Sequence, residues 1–244
     1  MTATPPPPPP DKPAKRRWAG PKDSDPKTSG RGGSGERLKT RDKRTPAQAA
    51  WLQRQLDDPY VRRAKAEGWR ARAAFKLLEL DEKFALLKSG QRVLDLGAAP
   101  GSWAQVAVKR GAAAVIGIDL LPIEAMAGAK FVQADFLDEE AAEDLIARLG
   151  GPPDLVLSDM AANATGHART DQLRTGALAE AAAAFAMAHL APGGAFVSKA
   201  FQGGLDTTLL AELKRTFATV RHAKPPASRS ESSEVYVVAQ GFRG

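Results

Sequence analysis

The sequence predicts an α/β domain of three layers, with helices on both faces of a mostly parallel sheet. Three observations point there. From Gly90 onward, apolar runs of strand length alternate with stretches of helical periodicity. A Gly-rich turn, Asp95-Leu96-Gly97-Ala98-Ala99-Pro100-Gly101, joins the first of these runs to the helix that follows it. Acidic residues recur at or near the ends of the runs, at Asp95, Asp119 and Asp159, where ligands of parallel sheets sit.

The elements follow in order. Thr45 and Pro46 suit the N-cap and first turn of a helix whose apolar stripe is Trp51, Leu52 and Leu56. Tyr60 to Glu67 predicts a short basic helix ended by Gly68. A third helix is expected from Arg72 to Leu87, with Phe75, Leu78 and Phe84 on its buried side and Lys76 elsewhere on its surface. Arg92 to Leu96 is a short apolar run before the Gly-rich turn, hence a buried strand, and Ser102 to Lys109 is helical. Strands are expected at Ala114 to Leu120 and Lys130 to Gln133. Asp138, Glu139 and Glu140 suit a helix N-terminus and Arg148 its C-terminus. Leu155 to Leu157 predicts a strand ending in Ser158-Asp159, and a long helix from Asp171 to Leu190 is stopped by Pro192-Gly193-Gly194. Ala195 to Phe201 is a strand and Leu209 to Phe217 a helix, with final strands at Val220 to His222 and Val235 to Val238.

Composition narrows the function. The chain has 244 residues, enough for one ordinary domain with something added or for two small ones, and 43% are hydrophobic, enough for a sizeable core. There is no cysteine, which excludes disulfides, thiolate metal sites and thiol nucleophiles, and the three histidines lack metal-ligand spacing. The longest apolar stretch, Ala181 to Leu190, falls short of the roughly 20 residues that span a bilayer, and no signal peptide opens the chain. The expectation is a cytoplasmic, soluble protein. The net charge of +7 lies entirely in residues 1–44, a Pro/Gly-rich basic stretch nearly free of apolar side chains and therefore expected to be disordered. Within the expected 45–244 domain, 45–80 carries +3, 81–213 carries −7 and 214–244 carries +4. Basic ends around an acidic middle favour a polyanionic partner, above all nucleic acid. The division expected is a tail over 1–44, helices over 45–89 and a core over 90–244.

The Gly-rich turn limits the ligand. Where a dinucleotide fingerprint has its second and third glycines, this chain has Ala99 and Ser102, and no Gly-Lys-Ser/Thr follows to make a phosphate loop. Asp119 comes 22 residues after Gly97, a spacing that suits a carboxylate accepting ribose hydroxyls. A ribose-bearing ligand without phosphates fits, namely S-adenosylmethionine. Asp135 is placed to take the adenine amino group and Trp103 to supply apolar surface near the cofactor; the alternative is that Asp119 and Asp135 are solvated loop carboxylates and Trp103 is core. Lys199 stands inside the otherwise apolar strand Ala195 to Phe201. It either faces water on an edge strand or is buried beside a partner such as Asp159. With Lys76 and Glu234, these would form a charge-balanced cluster of two lysines and two carboxylates.

Ordered motifs then carry a resemblance. They are Trp51-Leu52 with Asp58-Pro59-Tyr60-Val61, Arg72-Ala73-Ala74-Phe75-Lys76-Leu77, Val93-Leu94-Asp95-Leu96 with the turn through Trp103, Asp119-Leu120-Leu121-Pro122, Ser158-Asp159-Met160-Ala161, Lys199-Ala200-Phe201-Gln202-Gly203 and Ser228 through Tyr236. Over about residues 50–244 the chain closely resembles the FtsJ/RrmJ (RlmE) type of ribosomal RNA 2′-O-methyltransferase. The resemblance implies a Rossmann-like S-adenosylmethionine-dependent methyltransferase fold, a seven-stranded sheet whose last strand is antiparallel. It implies a catalytic tetrad at Lys76, Asp159, Lys199 and Glu234, and cofactor contacts at Gly101, Trp103, Asp119, Asp135 and Asp159. The implied substrate is a uridine ribose of large-subunit ribosomal RNA in the assembled subunit, acted on by a monomer with no metal and no membrane. In that reading Lys199 accepts the proton, Asp159 orients it, and Lys76 and Glu234 hold the hydroxyl. Two positions depart from the family pattern: Ser102 replaces the usual Gly and Ala162 the usual Pro. A transfer-RNA enzyme with the same tetrad and a non-catalytic assembly factor remain as alternatives.

Overall fold

The computed structural model describes residues 57–138, 140–162, 166–201 and 207–244. The expected tail over 1–44, the helix expected between Pro46 and Leu56, and Gln202 and Gly203 of the Lys199 motif lie outside the described residues. Two helices precede the sheet. The first, α1 (Pro59–Ala66), starts with Pro at its first turn and is capped by Asp58, whose carboxylate accepts from the Tyr60 amide at 3.0 Å. The second, α2 (Ala73–Phe84), stops short of the expected Leu87. Ala85 turns left-handed at φ 52°, and Asp81 instead accepts from the Leu87 amide at 2.8 Å. Leu86 still packs into the core, so the apolar pattern outlasts the helix.

Seven strands follow: β1 (Arg92–Leu96), β2 (Ala114–Asp119), β3 (Lys130–Gln133), β4 (Leu155–Ser158), β5 (Ala195–Phe201), β6 (Phe217–Ala223) and β7 (Glu234–Phe242). They lie in the order β3-β2-β1-β4-β5-β7-β6, parallel from β3 through β5, with β7 antiparallel to both its neighbours. The connecting helices are α3 (Ser102–Lys109), α4 (Ala141–Leu149), α5 (Ala168–His189) and α6 (Thr207–Thr216). The last of them ends one residue early, because Phe217 opens β6 opposite Phe242. β7 is longer than its local pattern because β5 and β6 pair with it on either side.

Leu94, Leu96, Ile116, Ile118, Val156 and Phe196 form the centre of the main core. Each such side chain contributes about 1.5–3 kcal/mol on burial. Alanines 182, 183 and 186 of α5 let that helix approach β4 and β5 closely. The chain runs outward from β1 to β3, then returns to place β4 on β1's other side. Parallel sheets bind ligands at the carboxyl ends of strands flanking such a reversal. There Gly97, at φ 73°, lies so close to the β4 exit that a Cβ would stand 2.5 Å from Met160 Cγ.

Candidate active site

The strand register assembles the charged cluster. Lys199 lies opposite Tyr236 across β5 and β7, and side chains so paired share a face of the sheet. Glu234 precedes Tyr236 by two residues on the same strand and joins that face. Ser158 pairs with Ser198, so Asp159, the next residue out of β4, arrives beside Lys199. β5 lies between β4 and β7, so Lys199 is buried at 8% exposure, and the edge-strand alternative is ruled out. Lys76 enters from α2, above the sheet's end.

The four residues of the expected tetrad do meet. Lys199 Nζ donates to the Asp159 carbonyl at 2.6 Å and lies 3.1 Å from its Oδ1. Lys76 Nζ stands 2.9 Å from Glu234 Oε1 and 3.8 Å from Asp159 Oδ2. The Tyr236 hydroxyl sits among them, 2.7 Å from Asp159 Oδ1, 3.3 Å from Glu234 Oε1 and 3.1 Å from Lys76 Nζ. Burial alone would raise the Asp159 carboxyl, yet Lys199 and Lys76, with the Tyr236 hydrogen bond, hold it below the usual carboxylate range. Burial and the charges of Asp159 and Glu234 push the Tyr236 phenol well above its ordinary value, so it stays a neutral donor. Ser228 completes the cluster, donating to Glu234 Oε1 at 2.7 Å.

The Gly-rich turn beside this cluster is braced by carboxylates. Asp119 accepts from the Ala99 amide through Oδ2 and from the Leu121 amide through Oδ1, each at 2.9 Å. Asp95 accepts from the Ala104 amide at 3.0 Å, near the start of α3. Its other oxygen is buried without a hydrogen-bond partner. Burial, reinforced by the charges of Asp159 and Asp119, raises the Asp95 carboxyl to about 8. Gly101, at φ 93°, is packed so tightly that a Cβ would come within 2.8 Å of Arg70 Nη1.

The donor set suits an adenosine. Each Asp119 oxygen retains acceptor capacity after its one backbone bond, enough for ribose hydroxyls. Asp135, one strand over, holds the Leu137 amide at 3.0 Å with Oδ1 and is only half-buried. Leu120, Leu121 and Leu137 are 64%, 63% and 57% exposed beside these two acids and offer apolar surface for a planar base. Trp103 supplies none of that surface. Its ring is 2% exposed, donates through Nε1 to the Ala73 carbonyl at 2.8 Å and packs 5.7 Å from the Tyr236 ring. It is a prop between α2, α3 and β7, leaving only its main chain, near the N-terminus of α3, for a ligand. Ser102, at the first position of α3, is buried, and the Ala162 amide donates to Thr175 Oγ1 at 3.3 Å.

Tyr236, Ser228 and Thr175 were not singled out as site residues by sequence reasoning. For Tyr236 a signal was present: it shares a strand face with Glu234 and stands at a register position facing Lys199. Ser228 opens the motif that ends at Tyr236, whereas Thr175 gave no signal, since it acts through a bond to a residue of another element.

A mostly parallel seven-stranded sheet with a reversed β7, a braced Gly-rich turn and an adenosine-compatible pair of acids define a methyltransferase fold. The FtsJ-like methyltransferase family matches residues 69–242, and the chain belongs to that family. Among its relatives is the ribosomal RNA large subunit methyltransferase E of Novosphingobium aromaticivorans, 64% identical over 210 residues, covering 86% of this chain and 95% of that one. The protein of the same name from Granulibacter bethesdensis is 61% identical, covering 84% and 90%. A crystal structure described as a ribosomal RNA methyltransferase from Plasmodium falciparum superposes with a TM-score of 0.63 at 29% identity, over 72% of this chain and 100% of that one. A Streptococcus thermophilus protein described as a hemolysin, 15% identical with a TM-score of 0.53 over 72% of this chain and 67% of that one, shares the fold alone.

Proposed function

We propose that the protein transfers the methyl group of S-adenosylmethionine to the ribose 2′-hydroxyl of a uridine in large-subunit ribosomal RNA, within the assembled subunit. The observation that carries this reading is the convergence of Lys76, Asp159, Lys199 and Glu234 beside the braced turn. When bound, the sulfonium supplies an electrophilic methyl with a neutral leaving group. What remains for the protein is to align the hydroxyl and take one proton. Lys199 is the residue placed to do the latter. Its Nζ is held by the Asp159 carbonyl and carboxylate, which fixes its direction toward a third partner, the hydroxyl oxygen. Lys76 and Glu234 steady that oxygen and balance the charge, and the carboxylates of Asp119 and Asp135 bind the adenosine.

The surface and the relatives support this substrate class. The two basic stretches of the sequence come together around the tetrad: Arg72 donates to the Ala227 carbonyl and Arg229 lies 3.5 Å from Asp58. Arg62, Lys65 and Lys224 are exposed on the same two segments, as a polyanion requires. The relatives named above as large-subunit enzymes make ribosomal RNA the polyanion of choice. Incubating the protein with methyl-labelled S-adenosylmethionine and either large subunits or transfer RNA tests this. Label at a ribose 2′-oxygen of the subunit RNA is expected, and label confined to transfer RNA would contradict it.

A further inference from the structure

Arg70 lies in the bend between α1 and α2, yet its side chain ends between the Gly-rich turn and the connection that follows β2. Nη1 donates to the Pro100 carbonyl at 3.0 Å and to the Glu124 carbonyl at 2.7 Å. Nη2 donates to the Ala125 carbonyl at 2.9 Å. Pro100 belongs to the Gly-rich turn after β1, and Glu124 and Ala125 to the connection that leaves β2 directly after Asp119. The backbone of Arg70 is fixed in turn: its amide donates to Gln105 Oε1 and Gln105 Nε2 donates to the Gly68 carbonyl, both at 2.9 Å. The guanidinium also lies 5.8 Å from the centre of the Phe131 ring on β3.

Three carbonyls from two chain segments thus converge on one planar fork. A guanidinium presents five donors in that plane, whereas an ammonium is a single point that cannot match it. The connection over 120–125 has no helix or strand of its own, and its first regular pairing is the Met126–Ala129 bridge. Such a segment takes its shape from whatever ties it down.

We infer that Arg70 is a positioning residue that sets the spacing of the two cleft walls and registers them with the helix pair bearing Lys76. It touches neither the tetrad nor the reacting atoms. It acts through the carbonyls it holds, so that Asp119 at the end of β2 and the Gly-rich turn after β1 meet the donor together. The inference rests on the reading of this cleft as the S-adenosylmethionine site.

The test is calorimetric titration of S-adenosylmethionine into the wild-type protein, Arg70→Ala and Arg70→Lys. It is joined to amide exchange in the donor-free proteins and to steady-state kinetics on large subunits. Arg70→Ala should bind the donor about tenfold more weakly, with Arg70→Lys recovering only part of the loss. Amides over 120–129 should exchange faster in Arg70→Ala, while those of β1 and β5 keep their protection. The kinetic loss should fall on KM for the donor and spare KM for the subunit. Partial unfolding would instead lower kcat at unchanged KM values, and that result would overturn the positioning role. Normal donor binding by Arg70→Ala would overturn it too, leaving the cleft reading intact. A wild-type protein that binds no S-adenosylmethionine would overturn the cleft reading and this inference with it.

Discussion

The tetrad and the Gly-rich turn occupy the same end of the sheet and are built by opposite means. The tetrad is a knot of side chains from four distant segments, joined by ion pairs and one phenol. The turn is backbone, stiffened by carboxylates and a guanidinium that bond main-chain amides and carbonyls. The first arrangement suits chemistry, because charges held at short range orient a proton acceptor. The second suits binding, because a fixed main chain with spare carboxylate lone pairs leaves room for a ligand. Substitutions in the two regions should therefore fail in different ways.

The largest effect is expected at Lys199. Lys199→Ala should lower methyl transfer by about a thousandfold or more, roughly 4 kcal/mol in the barrier. Its affinity for S-adenosylmethionine should change little, since Lys199 has no place in the adenosine site. Single-turnover rates on subunits, paired with calorimetry, check this; near-normal turnover would remove Lys199 as proton acceptor. Asp119→Ala should show the converse, weakening donor binding by about 1–3 kcal/mol, as when a charged hydrogen-bond partner is lost. Unchanged affinity would take Asp119 out of the site.

Tyr236→Phe sharpens the comparison, because it keeps the ring on Trp103 and deletes only the hydroxyl shared by Asp159, Glu234 and Lys76. Turnover should fall about tenfold while donor affinity holds, an effect the size of one hydrogen bond to a charged group. Equal losses in both would show that the two regions are not separable.

A further test concerns Asp95, which lies between the two regions. Its carboxyl titrates near 8 in the folded protein against 3.8 as its ordinary value. The folded state therefore holds a proton that the unfolded chain releases. The stability this contributes is full below the ordinary value, erodes as pH rises, and is gone above about 8. Asp95→Asn lacks that titration, so its melting temperature should gain on the wild type between pH 6 and pH 9. A difference that stays constant with pH would show that Asp95 does not titrate in this window.

The same contrast explains what the sequence made legible. The Gly-rich turn is a contiguous run between a strand and a helix, and both its position and the acid that ends β2 could be read directly. The sheet's strands were also visible, since buried parallel strands are apolar and short. Lys199 stood out as a charge in an apolar strand, yet whether it faced water depended on β5's place in the sheet, which β7's pairing decides. The ring of Trp103 looked like cofactor surface because it follows the turn, but the helix start directs it inward beneath Tyr236. Arg70 and Thr175 act through bonds to other elements, and such bonds leave no periodicity in a single chain.

We propose that this tetrad methylates a ribose of large-subunit RNA. Mapping 2′-O-methylation across all ribosomal and transfer RNA tests it most directly, in cells lacking the protein and in the same cells given back the wild type or Lys199→Ala. One large-subunit uridine should lose its methyl group on deletion, regain it with the wild type, and stay unmethylated with Lys199→Ala. A large-subunit map unchanged by deletion, or one restored by Lys199→Ala, would contradict it.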